Sequence, residues 1–126
     1  MIEAVLAAGG CFRLWPRGRS MLPLLREGRD SVLLATPDGA EVGDILLVRT
    51  PDGRFLLHRA VALDTTVTLR GDALTETEGP FPLDHILARV VRIFRDEREL
   101  DPRSPRLGRY ARRRRLLAAI RRLLRR

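Results

Sequence analysis

The stretch ILLVRTPDGRFLLHRAVAL, residues 45–63, decides the fold class of this chain. Two apolar runs, 45–50 and 54–63, flank the tripeptide PDG at 51–53. Proline, aspartate and glycine are favoured in tight turns, and apolar runs of this length on either side of such a turn are typical of a β-hairpin. The sequence therefore predicts an antiparallel pair of strands near its centre.

Further short runs with strand character surround this hairpin. They are expected to form strands at 11–15, 31–35, 65–70 and 85–95. Clusters of turn residues separate them, such as TPDGAEVGD at 36–44. Many short strands joined by turns indicate a mainly β domain with an antiparallel sheet, not alternating β and α units. One or two helical turns are predicted at 2–8, ended by Gly9 and Gly10.

Charge divides the chain into two parts. Residues 1–100 carry 13 arginines and 15 acidic residues, whereas residues 101–126 carry 11 arginines and one aspartate. The segment DPRSPRLG, 101–108, contains two prolines and is predicted to be a linker. At 109–126 leucines and arginines fall on opposite sides of a helical wheel, which predicts a basic amphipathic helix. The expected organisation is a β domain over 1–100, then a linker and a basic helix over 101–126.

The predicted basic helix has more than one use open to it. Its leucine stripe could pack on the β domain, or it could lie in the surface of an anionic membrane, and the sequence does not separate these two. Nucleic-acid binding is expected less, because Tyr110 is the one aromatic residue of the tail and gives no platform for stacking bases. No apolar run approaches the ~20 residues that span a bilayer. We therefore expect a cytoplasmic protein, with membrane association through this helix as an alternative.

The stretch PRGRSMLPLLREG, residues 16–28, places Ser20 in a loop rich in glycine and proline. A serine hydroxyl needs a general base before it can act as a nucleophile, and a serine–lysine pair is one known solution. All 24 basic side chains are arginine, so such a pair cannot form within this chain. An internal base would have to be His58, His85, a carboxylate or the amino terminus.

Four short segments follow one another in an order that is similar to a known family. They are GRSMLP at 18–23, VGDILLVR at 42–49, HRAV at 58–61 and RGDAL at 70–74. Together they resemble the type I signal peptidases, which are serine endopeptidases, and specifically the branch that uses histidine in place of lysine. The resemblance covers about residues 10 to 95. It implies a signal-peptidase-like coiled antiparallel sheet, a peptide or precursor-protein substrate, and a preference for small residues just before the cleaved bond.

The resemblance also implies roles for single residues. Ser20 would be the nucleophile, His58 the general base, and Asp72 the residue that orients the imidazole. The residues expected to shape the substrate groove are Gly18, Met21 and Pro23. The backbone N–H of Ser20 would donate to the oxyanion, and Gly18 stands where relatives carry a hydroxyl as a second donor. No cofactor or metal is expected.

The neighbours of this motif carry further expectations. Relatives have a second acidic residue a few positions after the last Gly-Asp pair, and either Glu76 or Glu78 could stand in for it. Arg59, which follows His58 on the same strand, is expected to form a structural ion pair with a nearby carboxylate. Asp44 is expected to be only a turn residue. His85, which has no partner motif, is expected to be structural.

Two other functions stay open from the sequence alone. The same fold occurs in repressor-type proteins that cut themselves, and the Ala8–Gly9 bond is of the kind such proteins cleave, although those relatives use lysine. The domain could also be a catalytically weak or inactive peptide-binding module. Ala73 and Leu74 stand where relatives often carry asparagine, and the oxyanion hole lacks its second hydroxyl donor.

Overall fold

The computed structural model describes residues 5–6, 8–105 and 107, and its described part is organised by an eight-stranded antiparallel sheet. The strands are β1 (Phe12–Leu14), β2 (Asp30–Ala35), β3 (Ile45–Arg49), β4 (Phe55–Leu63), β5 (Thr66–Arg70), β6 (Glu78–Pro82), β7 (Ile86–Arg95) and β8 (Arg98–Leu100). A 3-10 turn, Leu83–His85, precedes β7. The spatial order is β1-β2-β7-β3-β4-β5-β6, with β8 paired to β7. The prediction of a mainly β, antiparallel domain is confirmed.

The central hairpin forms as its sequence predicts. Strands β3 and β4 pair in an antiparallel register that sets Leu46 opposite His58. The turn between them is closed by the Thr50 N–H, which donates to the carbonyl of Arg54 at 2.8 Å. Gly53 has a φ of +88°, in the left-handed region that favours glycine. The hairpin therefore fixes the position of His58 on the sheet.

Two apolar clusters cover the two faces of this sheet. Because side chains alternate along a strand, Ile45 and Leu47 of β3 join one cluster, whereas Leu46 and Val48 join the other. The first cluster also takes in residues of the loop between β1 and β2. They are Met21, Leu24 and Leu25, each no more than 4% exposed. The loop that carries Ser20 is therefore anchored in the main core.

Strands β6 and β8 were not predicted from the sequence. β6 contains Pro80 and Pro82, which remove two backbone donors, and it pairs only with β5 at one edge of the sheet. Proline is tolerated at such an edge because the missing N–H groups are not needed by another strand. β8 has only three residues and follows a tight turn in which Asp96 has a φ of +56°.

The segment predicted to be a linker packs against the β domain. The guanidinium of Arg103 donates to both carboxylate oxygens of Asp44, at 2.9 and 2.8 Å, and to the carbonyl of Gly39 at 2.9 Å. Leu107 is 8% exposed and belongs to the first apolar cluster. Because of these contacts, residues 101–105 and 107 are an extension of the domain. The linker prediction was based on proline content, which does not reveal long-range contacts.

The two predicted helices fall mostly outside the described residues. At the amino-terminal end Val5 and Leu6 are helical, and their carbonyls accept the N–H groups of Gly10 and Gly9 at 2.9 and 3.0 Å. The basic helix predicted at 109–126 lies outside the described residues. Within the described part, no helix has the length and apolar character needed to cross a bilayer.

Candidate active site

Ser20 lies in the loop between β1 and β2, just after a reversal of the chain at Gly18. Gly18 has a φ of +86°, and its N–H donates to Oε2 of Glu27 at 3.2 Å. Immediately after the serine, Met21 is buried and its carbonyl accepts the N–H of Leu25 at 2.9 Å. These bonds hold the loop closed on both sides of the serine.

A fully buried carboxylate fixes the far side of this loop. Asp30 is 0% exposed and accepts hydrogen bonds from the N–H of Arg26 at 2.8 Å and from Nε of Arg95 at 2.9 Å. Arg95 also donates through Nη2 to the carbonyl of Leu24 at 2.6 Å. Burial alone would raise the pKa of Asp30, but hydrogen bonds from Arg29 and Arg95 outweigh it and lower the pKa of this carboxyl.

The structure brings Ser20 and His58 together, although they are 38 positions apart in the sequence. Oγ of Ser20 lies 2.9 Å from Nε2 of His58. The histidine side chain is 8% exposed and projects from the middle of β4. This is the distance at which a histidine can take the proton of a serine hydroxyl.

The other ring nitrogen of His58 faces Glu78, the first residue of β6. Oε1 of Glu78 lies 2.5 Å from Nδ1. The contact is close but poorly aligned, so these two atoms are the buried side-chain polar atoms of the described residues without a well-formed hydrogen bond. A carboxylate can only accept, so we assign the neutral ring's proton to Nδ1, which leaves Nε2 free to accept the hydroxyl proton of Ser20.

The expected contact between Asp72 and His58 is not formed. The carboxylate of Asp72 accepts two hydrogen bonds from Arg59, from Nε at 2.8 Å and from Nη2 at 2.7 Å, and both residues are buried. His58 and Arg59 are neighbours on β4 and so point to opposite faces of the sheet. Asp72 lies on the side of Arg59, and the prediction that it orients His58 is corrected accordingly. Arg59 does form the ion pair that was expected of it.

The loop that carries Asp72 instead supports Ser20 through the backbone. The N–H of Ala73 donates to the carbonyl of Ser20 at 2.9 Å, and the N–H of Asp72 donates to Sδ of Met21 at 3.4 Å. A Cβ on Gly71 would lie 2.6 Å from the Ser20 carbonyl oxygen, so only glycine permits this approach. The Gly-Asp pair at 71–72 therefore packs against the serine turn from behind.

A cleft of about 440 Å³ opens beside the Ser20–His58 pair. Of the three residues expected to shape a substrate groove, Gly18 and Met21 line this cleft. Pro23 does not line it and is exposed, so its predicted role is corrected. Two aromatic side chains that the sequence did not single out, Trp15 and Phe55, also line the cleft.

The backbone N–H of Ser20 is available to a bound group. It forms no hydrogen bond within the described part of the chain. The neighbouring N–H groups of Leu22 and Leu25 are used inside the turn, by the carbonyls of Arg19 and Met21. The N–H of Ser20 could therefore donate to a negative charge that develops next to Oγ.

The remaining polar candidates lie outside the cleft. Asp44 is 6% exposed and binds Arg103, while Nδ1 of His85 lies 2.8 Å from the carbonyl of Arg49. Glu76 is exposed and makes no ion pair with the described residues. No group of three or more histidine, cysteine or acidic side chains in the described ranges is arranged to hold a metal ion.

Glu78 is the residue that sequence reasoning left undecided. Choosing it over Glu76 required the strand β6, which was not predicted because of the prolines at 80 and 82.

Comparison with known proteins does not identify a family for this chain. No protein-family model matches the sequence, and no curated protein matches it.

Proposed function

We propose that the chain is a serine endopeptidase with Ser20 as nucleophile, His58 as general base and Glu78 as the residue that orients the imidazole. The observation that carries the proposal is the chain of contacts from Oγ to Nε2 at 2.9 Å and from Nδ1 to the carboxylate at 2.5 Å. Its members come from a loop, from β4 and from β6, so no local turn motif accounts for their meeting. A nucleophile, a base and an acid in this order are the parts of a hydrolytic triad.

The chemistry follows from these contacts. Oγ of Ser20 bonds to the carbonyl carbon of the peptide while its proton passes to Nε2 of His58. The carbonyl oxygen becomes negative and accepts the N–H of Ser20, and Glu78 stabilises the imidazolium that has formed. The C–N bond then breaks, and Nε2 returns its proton to the leaving amine. Water, activated by the same imidazole, hydrolyses the ester that remains on Ser20.

The likeness of the motifs to type I signal peptidases supports the same reaction and a signal-peptidase-like sheet. The self-cleaving alternative has less support, because neither Ala8 nor Gly9 lines the cleft. An inactive binding module would present the same cleft, so only the reactivity of Ser20 distinguishes it from an enzyme. The apolar lining and the buried imidazole are common to both readings, whereas only an enzyme needs an activated hydroxyl.

Covalent labelling tests the proposal without knowledge of the natural substrate. A fluorophosphonate should add once per chain, and mass spectrometry of the digested protein should find the adduct on Ser20. The adduct should be lost in Ser20→Ala and should form at least about 100-fold more slowly in His58→Ala, because the base contributes roughly 10²–10⁴. Ser104→Ala, a change outside the cleft, is the matched control and should label like the wild type. Labelling that survives His58→Ala at the full rate would overturn the assignment of the base.

A further inference from the structure

Two large aromatic side chains are exposed at the proposed active site. Trp15 is 56% exposed and Phe55 is 54% exposed, and both line the cleft that holds Ser20 and His58. Exposed apolar side chains that are concentrated in a concave site usually mark a place where a ligand binds. The aromatic side chains therefore indicate that an apolar group of a ligand binds next to the serine.

Arginine side chains hold these rings in place. The guanidinium of Arg13 lies 5.1 Å from the ring centre of Trp15 and 4.6 Å from that of Phe94, and Arg13 also donates to Oγ of Ser31 at 2.8 Å. The guanidinium of Arg49 lies 5.9 Å from the ring centre of Phe55. Cation–π contacts of this kind restrict the rings before a ligand arrives, which lowers the entropic cost of binding.

The charge at the cleft is positive. Arg17 is exposed, lines the cleft, and makes no hydrogen bond or ion pair with the described residues. No carboxylate is among the described residues that line it. Glu27 accepts the Gly18 N–H and Glu78 contacts His58, and neither of these carboxylates lines the cleft. A carboxylate on the ligand would therefore find Arg17 without a partner among the described residues and no carboxylate in the lining of the cleft.

We infer that the cleft binds an extended peptide segment in which a large apolar side chain is flanked by a carboxylate. The apolar side chain packs against Trp15 and Phe55, and the carboxylate pairs with Arg17. This inference rests on the proposed function, because it names the substrate class of the same site. It departs from the small-residue preference that the motif resemblance implies, since a cleft of about 440 Å³ with two aromatic rings accepts a larger side chain.

A peptide fits these observations better than a lipid surface. The rings belong to a concave site that contains the proposed nucleophile, whereas a membrane would be met by a continuous apolar face. The other large apolar side chains that are exposed among the described residues do not line the cleft. They are Val42, Leu74 and Leu83.

Binding can be measured separately from cleavage because Trp15 is the only tryptophan in the sequence. Its fluorescence in the Ser20→Ala variant should report occupancy of the cleft. The probes are capped heptapeptides that differ only around a central leucine, which is flanked by Glu, Gln or Lys, with a fourth peptide that has alanine between two Glu. We expect the Glu-Leu-Glu peptide to bind at least about fivefold more tightly than the Lys-Leu-Lys peptide and than the alanine peptide.

Charge reversal identifies the cation. In Arg17→Glu, added to Ser20→Ala, the preference for the Glu-flanked peptide over the Lys-flanked one should be lost or inverted. Arg92→Glu makes the same charge change at a residue that lines a different cavity, and it should keep the preference. Equal binding of all four peptides, or a preference that survives Arg17→Glu, would overturn the inference.

Two further measurements, vesicle binding and labelling of the wild type at Ser20, distinguish this inference from a membrane contact and from the proposed function. If Trp15 responds to vesicles of anionic or neutral lipid and not to the peptides, the site is a membrane contact and the inference fails. If the wild type labels at Ser20 and cleaves peptides without regard to their charge, the inference fails while the proposed function stands. If the Glu-flanked peptide binds with the expected preference but Ser20 never labels, the ligand class stands and the protease proposal fails.

Discussion

At the scale of single residues, the decisive feature is that the carboxylate beside His58 comes from Glu78 and not from Asp72. The sequence could propose Ser20 and His58 because their motifs are local and because the chain has no lysine. It assigned the orienting role to Asp72, which binds Arg59 instead, since a Gly-Asp pair does not reveal which face of a sheet its side chain will meet. Only the pairing of β6 with β5 brings Glu78 to the imidazole.

Replacing Glu78 should reduce the reactivity of Ser20 without unfolding the protein. Glu78→Gln keeps the size of the side chain but removes the charge that stabilises an imidazolium, so fluorophosphonate labelling should slow by about 10²–10⁴. The free energy of unfolding should change by no more than about 1 kcal/mol, because Glu78 lies on an edge strand and is partly exposed. Glu76→Gln is the matched control and should label at the wild-type rate. An undiminished rate in Glu78→Gln would remove this residue from the site.

Replacing Asp72 should act mainly on stability. Asp72→Ala leaves the buried guanidinium of Arg59 without its counter-charge, and breaking one side of a buried ion pair costs about 3–5 kcal/mol. Urea unfolding measures this loss. The double change Arg59→Met with Asp72→Ala should recover part of it, because no unpaired charge remains. A fully stable Asp72→Ala protein with no labelling at Ser20 would instead mean that Asp72 acts on the imidazole.

At the scale of elements, the strands with alternating or continuous apolar patterns were predicted, whereas β6 and β8 were not. The runs at 45–50, 54–63 and 85–95 become β3, β4 and β7, where burial demands apolar residues. β6 and β8 are edge pieces that bury little, so composition does not mark them. The loop from β1 to β2 is also invisible to such patterns, because its shape depends on the distant Arg95.

The anchoring of this loop by Asp30 should make stability depend on pH. The pKa of Asp30 is lower in the folded protein than in the unfolded chain, where an aspartate titrates near ~3.9. Its stabilising contribution is therefore complete above that value and is lost as the pH falls through the lowered pKa. The free energy of unfolding, measured in urea between about pH 6 and pH 2.5, should decrease towards acid.

The Asp30→Asn variant identifies the source of this slope. It should be less stable than the wild type at pH 6, and its stability should vary less with pH below about 4 because the titrating group is gone. Asp64→Asn, which removes an exposed carboxylate without a side-chain partner in the described residues, should keep the wild-type slope. A wild-type slope in Asp30→Asn would assign the acid sensitivity to other carboxyl groups.

At the scale of the whole molecule, contacts run without a break from the segment after β8 to the serine. Arg103 binds Asp44, and the adjacent carbonyl of Gly43 accepts Nη1 of Arg59 at 2.8 Å. Arg59 in turn holds Asp72, whose loop supports Ser20. Prolines at 102 and 105 suggested a free linker, because sequence patterns report local conformation and not the distant carboxylate that Arg103 meets.

Removing Arg103 should therefore weaken the fold while the proposed site stays assembled. Arg103→Ala leaves the buried carboxylate of Asp44 with the N–H of Glu41 as its remaining donor among the described residues, so the free energy of unfolding should fall by about 1–3 kcal/mol. Arg92→Ala breaks only an exposed pair with Glu99 and should cost no more than about 1 kcal/mol. Well below the unfolding temperature, Ser20 should label in Arg103→Ala within about twofold of the wild-type rate, because Arg59, Asp72 and Ala73 keep their own contacts. Equal losses of stability in the two variants would mean that the segment after β8 does not brace the domain, whereas a large loss of labelling would make Arg103 a positioning residue for the serine.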